Sequence, residues 1–297
     1  MATQAVSLPQ VNRRKPQRGN RSGLIAYLVA GIVLAVVFVL PLLWAVLRSL
    51  QPTDLITAAP TAGDFTRITG ANYAALLTGS VHILEYVGNS VLVAVSTAVL
   101  TAVVATAAGY GLGRSKLRFR GAGLAFTLII ITMMVPFQAI LTPLFMEMNF
   151  LHLTNSRIGL VLFYTACNLP FGVFVMRNSF LQVPRELEDA AYVDGASVLR
   201  TLTSVMRPLV VPGIATTALY AFLFAWNEFL GALTFLTDDR LYTLPVALFN
   251  VETSAYGKVD YGYLLSGAVI AMIPCIILYV ALQRYYLRGL VSGAIKG

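Results

Sequence analysis

The sequence predicts an all-α membrane protein of six transmembrane helices, with both termini in the cytoplasm and a helical cytoplasmic loop between the fourth and fifth spans. Three observations predict it. The 297-residue chain is 58% hydrophobic and 11% charged, whereas a soluble domain carries about 25% charged residues. Its apolar residues gather into six runs long enough for the roughly 20 residues that a helix needs to cross a bilayer. Between the fourth and fifth runs lies a polar island, Glu186-Leu-Glu-Asp-Ala-Ala-Tyr-Val-Asp-Gly-Ala-Ser197, which belongs in water.

The runs are Leu24–Val46, Val87–Leu112, Gly123–Met146, Ile158–Met176, Leu209–Phe235 and Tyr263–Gln283. The first has too long an apolar core for a cleaved secretory leader, and Ala45-Val-Leu-Arg48 is a poor small-residue cleavage site, so it is read as a retained helix. An even number of spans puts both termini on one side. Sixteen basic residues lie in the N-terminal tail, the second-to-third loop, the fourth-to-fifth loop and the C-terminal tail, against five on the opposite side. The positive-inside rule makes the richer side cytoplasmic. Residues 1–22 are then a basic cytoplasmic tail, and residues 23–297 a single six-span domain.

Within the spans, Pro41, Pro136, Pro143, Pro170, Pro212 and Pro274 are candidate kinks, because proline removes a backbone donor and crowds the preceding turn. The second span carries Ala98, Ala102, Ala105, Ala108, Gly109, Gly111 and Gly113. Small residues let helices approach closely, which predicts a central position in the bundle. Outside, Ser49–Tyr86 has room for short surface helices around Ala71–Leu77, and Leu236–Gly262 is expected as the other long external loop.

Several function classes fall away. The net charge of +8 follows from topology and needs no nucleic acid. Cys167 and Cys275 sit in apolar runs without disulfide or metal spacing, and His82 and His152 have no ligand partners nearby. No metal site is expected. No Gly-x-x-x-x-Gly-Lys-Ser/Thr run occurs, so the chain holds no P-loop motor, and no nucleophile constellation marks an enzyme. Ion-coupled transporters carry ionisable residues deep in the bilayer; here the one candidate is Glu228 in Ala225-Trp-Asn-Glu-Phe229. It lies about 19 residues, roughly 28 Å, along the fifth span, near the external interface, where Trp226 suits an aromatic belt. Asn227 and Glu228 either brace helix ends or, with Trp226, line the external mouth of a pathway.

The island reads as two short helices around a tight elbow. Pro184 suits a first turn, and Glu186, Glu188 and Asp189 complement the helix dipole. Leu187, Ala190 and Ala191 form a narrow apolar face. Gly195 stops the helix. Ser197 caps a second helix, which Pro208 is expected to end before the fifth span.

Asp189-Ala-Ala-Tyr-Val-Asp-Gly-Ala196, with Pro208 and Pro212 downstream, resembles the EAA loop of ABC-importer permeases. Ala225-Trp-Asn-Glu-Phe229 and the ending Arg288-Gly-Leu-Val-Ser-Gly-Ala-Ile-Lys-Gly297 are similar to the sugar-importing branch, in particular the smaller, MalG-like subunit of maltose-type systems. The resemblance covers about Gly23 to Gly297. It implies a permease subunit in the bacterial cytoplasmic (inner) membrane that imports a carbohydrate, a di- or oligosaccharide. Its implied partners are a second homologous permease, two ATPase subunits, an extracytoplasmic sugar-binding protein and membrane lipid. ATP and magnesium would be bound by the ATPase and no cofactor by this chain.

On this resemblance Glu186, Glu188, Asp189, Ala190, Ala191, Asp194, Gly195 and Ala196 form the ATPase-coupling surface. Ser292, Gly293 and Lys296 lie in an ATPase-contacting tail, and Leu236–Gly262 probes the binding protein. The family's acid directly before Ala-Ala is glutamate; this chain has Asp189, preceded by Glu188, and either acid is placed to meet the ATPase. The competing readings are a stand-alone secondary transporter or channel, which inverted repeats and deep charges would favour, and a permease of the same superfamily for a non-sugar solute.

Overall fold

The computed structural model describes residues 21–57, 63, 67–78, 83–114, 120–252 and 259–294, with side chains described from Gly23 to Ala281. The basic residues Arg13, Arg14, Lys15, Arg18, Lys116 and Arg118, and the loop residues 253–258, lie outside the described set. The chain divides into two units, residues 1–47 and 48–297. The first contributes α1 (Arg21–Ser49) through Leu47. From Gly23 to Trp44 its side chains are exposed, and an all-round apolar helix of this length suits lipid.

The second unit continues with α2 (Thr53–Ile56), α3 (Ala71–Thr78), α4 (Ile83–Gly113), α5 (Ala122–Thr132), α6 (Leu141–Phe150), α7 (Arg157–Gln182), α8 (Arg185–Val193), α9 (Val198–Arg200), α10 (Arg207–Asn227), α11 (Leu230–Phe235), α12 (Leu244–Glu252) and α13 (Tyr261–Ala294). Among the described residues, five helical stretches are long and apolar enough to span a membrane, or six if the bent pair of α5 and Phe137–Phe150 is one span.

That pair takes the place of the expected span Gly123–Met146, and its two halves meet at 85°, at Pro136, one of the candidate kinks. Pro136 is the cause. The residue before a proline avoids helical backbone, and Pro136 itself is extended (ψ 126°) before a 3-10 turn over Phe137–Ile140. Pro143 falls in the first turn of α6, where no helical donor is lost. Pro41, Pro170, Pro212 and Pro274 stay inside unbroken helices.

α4 and α7 run parallel, with α10 antiparallel against both. A side chain at Gly109 would meet Met176 and Arg177, and one at Gly172 would meet Thr101 and Ala105 of α4 and Thr217 of α10. Ala98, Ala102, Ala105 and Gly109 of α4 are buried, as expected of a central small-residue helix.

The expected external loop Leu236–Gly262 is largely folded into the unit. α12 buries Leu244, Val246, Ala247 and Val251 in the core that also holds Tyr86, Val93 and Trp226. Asn89 Nδ2 donates to Arg240 O (2.8 Å) and Tyr242 O (3.0 Å), and Ser90 Oγ accepts from Leu244 N (2.8 Å). Asn155, with φ 51°, accepts from Thr237 N and Asp238 N through Oδ1. The Arg240 hydrogen bond to Asp238 holds that half-buried carboxyl below the usual carboxylate range.

The segment Ser49–Tyr86 is also anchored, with α3 where a short helix was expected. Arg48, counted among the external loop charges, is buried. It donates to Gln51 Oε1 and to the carbonyls of Leu55 and Ile56 at the end of α2, which favours a cation.

Candidate functional site

The polar island folds as its local chemistry dictates. α8 begins after extended Pro184 and carries Glu186 and Glu188 in its first turn. It ends in a two-bond Schellman cap: Ala196 N donates to Ala191 O (2.9 Å) and Gly195 N to Tyr192 O (3.0 Å). Gly195 takes φ +78°, which the motif needs and a Cβ would strain. Ser197 Oγ then accepts from Arg200 N (3.3 Å) to start α9.

The second helix does not stop at Pro208. Helical structure runs unbroken from Val198 to Asn227, through a π-helical stretch over Thr201–Met206. There Arg207 N reaches Leu202 O, five residues back. The wider register lets Pro208, which has no N–H to give, enter a continuing helix.

The buried face of α8 also differs from the expected one. Leu187 is 43% exposed and Ala190 is exposed, whereas Glu188 and Ala191 are buried. Glu188, at 4% exposure, turns into the bundle. Its Oε1 accepts from the Tyr110 hydroxyl (2.7 Å), and its Oε2 lies 3.2 Å from Arg114 Nε. Nε faces the carboxylate as an ion pair without hydrogen-bond alignment. Arg114, itself 2% exposed, donates through Nη1 to Val183 O (3.1 Å) and through Nη2 to Met206 Sδ (3.7 Å). The Tyr192 hydroxyl lies 3.3 Å from that of Tyr110. A buried carboxylate survives only when paired, and Arg114, read from sequence as a loop charge, is the pair. Glu186, Asp189, Asp194 and Gly195 remain exposed and Ala196 half-exposed, beside exposed Val193 and Leu199.

At the opposite end of α10, the predicted fifth span breaks at Glu228 and Phe229 before α11. Glu228 closes the break. Its carboxylate accepts from the Tyr164 hydroxyl (2.6 Å), from Gly231 N (3.0 Å) and from Ala232 N (3.3 Å), which caps α11. Trp226 is buried; its ring stacks on Phe222 and Nε1 donates to Ala271 O (3.1 Å). Asn227 is exposed and its Nδ2 donates to Leu223 O. Ser292 and Gly293 lie in the final turn of α13, and Lys296 lies outside the described residues.

A cavity of about 590 Å³ opens where α5 and the Phe137 turn diverge, lined by Phe137, Gln138, Phe163, Phe171, Tyr220 and Phe224 among others. Sequence reasoning missed it. The available signal was the aromatic pair Tyr220 and Phe224, one helical turn apart on α10. Among the described residues no group of three or more His, Cys, Asp or Glu side chains converges on a metal position.

Residues 103–292 match the family described as binding-protein-dependent transport system inner membrane component. The trehalose/maltose transport system permease protein MalG of Thermococcus litoralis is 31% identical over 92% of this chain and 97% of its own length. The arabinooligosaccharides transport system permease protein AraQ of Halalkalibacterium halodurans is 34% identical over 89% of this chain and 93% of its own. A crystal structure of a bacterial ABC transporter involved in the import of the acidic polysaccharide alginate contains a chain of the same fold. It superposes with a TM-score of 0.76 at 24% identity, covering 92% of this chain and 99% of that one.

Proposed function

Because the chain belongs to the family of inner-membrane components of binding-protein-dependent transport systems, we propose that it is one permease subunit of an ATP-driven importer for a carbohydrate, a di- or oligosaccharide. The observation that carries the substrate class is the near full-length similarity to two sugar permeases. In this reading the chain pairs with a second, homologous permease and lies in the cytoplasmic membrane with both termini inside. An extracytoplasmic binding protein delivers the sugar. Two ATPase subunits bind ATP and magnesium and do the hydrolysis, and this chain is not catalytic.

The elbow supports the coupling role. α8 and α9 present Glu186, Asp189 and Asp194 outward beside exposed Leu187, Val193 and Leu199. Acids next to small apolar patches suit a protein cleft with basic residues. With Glu188 turned inward, Asp189 is the acid that takes the place of the family's glutamate. The aromatic cavity with Gln138 suits a sugar, whose C–H faces stack on rings while its hydroxyls hydrogen-bond. It is a candidate stretch of pathway wall.

The test is reconstitution of the chain with its partner permease, ATPase and binding protein in proteoliposomes. ATP-dependent uptake of a labelled di- or oligosaccharide is expected. Asp189→Arg is expected to leave assembly intact and to reduce sugar-stimulated ATP hydrolysis about fivefold or more, the scale of a typical coupling free energy. Uptake without ATP or ATPase would refute the reading.

A further inference from the structure

The buried side of the elbow, not its exposed side, holds the least expected chemistry. α8 is a nine-residue helix whose buried residues are Glu188 and Ala191. An alanine offers little surface to grip. Beside the Tyr192 hydroxyl, which meets that of Tyr110, the buried polar hold on α8 is Glu188, with the groups that receive it. Tyr110 lies in the last turn of α4, and Arg114 follows immediately after that helix. Val183 O, which Arg114 also engages, is the C-cap of α7. Met206, its third partner, closes the π-helical stretch that leads into α10. A single guanidinium thus touches the ends of the three helices that form the bundle core and the acid of the coupling helix.

We propose that Arg114, Glu188 and Tyr110 form a buried clamp that makes α8 move as one body with the inner ends of α4, α7 and α10. The Tyr110 hydrogen bond to Glu188 is directional, and the Arg114 ion pair holds the same carboxylate from its other oxygen. Apolar contacts slide, whereas Arg114 and Glu188 cannot separate without leaving two unpaired buried charges. Force applied to the exposed face of α8 is therefore delivered to the bundle instead of being lost as rocking of a short helix. The same geometry explains the double acid at Glu188 and Asp189, since one carboxylate faces inward to hold and the next faces outward. These are positioning residues, acting through α8. The part of the proposal that concerns transport rests on the importer reading, while the mechanical clamp does not.

The test uses Arg114→Met with Glu188→Met. Replacing a buried ion pair by apolar residues of similar size tends to preserve folding, so the directional link is removed while the fold is kept. Two readouts decide. In the full-length chain in nanodiscs, with Cys167 and Cys275 replaced by alanine, spin labels at Val193→Cys on α8 and Leu181→Cys on α7 report their separation. A narrow distribution is expected with the native pair, and a broadened one with both methionines. In the reconstituted transporter, ATP consumed per sugar imported is expected to rise about fivefold or more, a ratio that a lower yield of folded complex does not change. An unbroadened distribution overturns the clamp, and a broadened one with the wild-type ratio overturns its part in coupling. Should the double variant not accumulate, Tyr110→Phe carries both readouts. A wild-type complex that imports no sugar counts against the importer reading alone, because the label distances still decide the clamp.

Discussion

Two glycines on one helix are expected to respond to the same substitution with opposite sign. Gly109 and Gly111 both lie near the end of α4, and changing either to alanine removes the cost of glycine in a helix, about 1 kcal/mol. At Gly111 a new Cβ meets nothing within 4 Å, so the gain stands. At Gly109 it would lie 2.6 Å from Met176 Cβ, 2.8 Å from Arg177 N and 2.9 Å from Met176 C. Ordinary contact begins near 3.4 Å, so the shortfall is close to an ångström, and two of the three neighbours are backbone. A side-chain tip could swing away, but the axis of α7 must shift instead. Overpacking of this kind costs typically 1–3 kcal/mol, and the backbone neighbours place this case at the upper end. Gly109→Ala is therefore expected to lose about 1–2 kcal/mol net, while Gly111→Ala gains about 1. For a chain of this size each kcal/mol moves the unfolding midpoint by about 1.5–2 °C. Thermal unfolding of the purified chain in detergent, followed by tryptophan fluorescence, reads both. A midpoint for Gly109→Ala at or above wild type would refute the close α4–α7 approach on which the fold description depends.

Two further outcomes are expected. Glu228→Ala removes the acceptor of Tyr164, Gly231 and Ala232 and leaves a fully buried tyrosine hydroxyl unpaired, costing about 3 kcal/mol or more; Glu228→Gln, which keeps one carbonyl oxygen, costs less, and equal midpoints for the two would show that the carboxylate does not hold the break. Gly195→Ala meets open space but must hold φ +78°, a strain of about 1–2 kcal/mol; amide exchange at position 195 and at Ala196 is expected to quicken, more so at Ala196 in Gly195→Pro, and unchanged exchange would count against the Schellman cap.

Features written in neighbouring residues were legible without the fold. Pro184, the acids that follow it, Gly195 and Ser197 place a helix, a stop and a new cap within fourteen positions, because capping is a local transaction between a side chain and the nearest backbone. The small-residue face of α4 was legible too, since helical periodicity alone brings Ala98, Ala102, Ala105 and Gly109 to one side. Pro136 was visible as a candidate kink, but an 85° bend depends on what the two halves pack against. Leu236–Gly262 read as a loop because its charges and tyrosines look solvated, yet Asn89, Ser90 and Asn155 reach it from other elements and draw α12 into the core.

By itself the sequence determined that the chain is helical, apolar enough for a membrane, and interrupted by one capped polar elbow. Only the tertiary structure decided which way the elbow faces. Glu188 and Asp189 are adjacent acids with the same local propensities, and nothing near them in sequence separates their roles. The partners of Glu188 are Tyr110, 78 residues away, and Arg114 just beyond it. A buried charge is tolerated only where the folded chain brings its counter-charge to meet it.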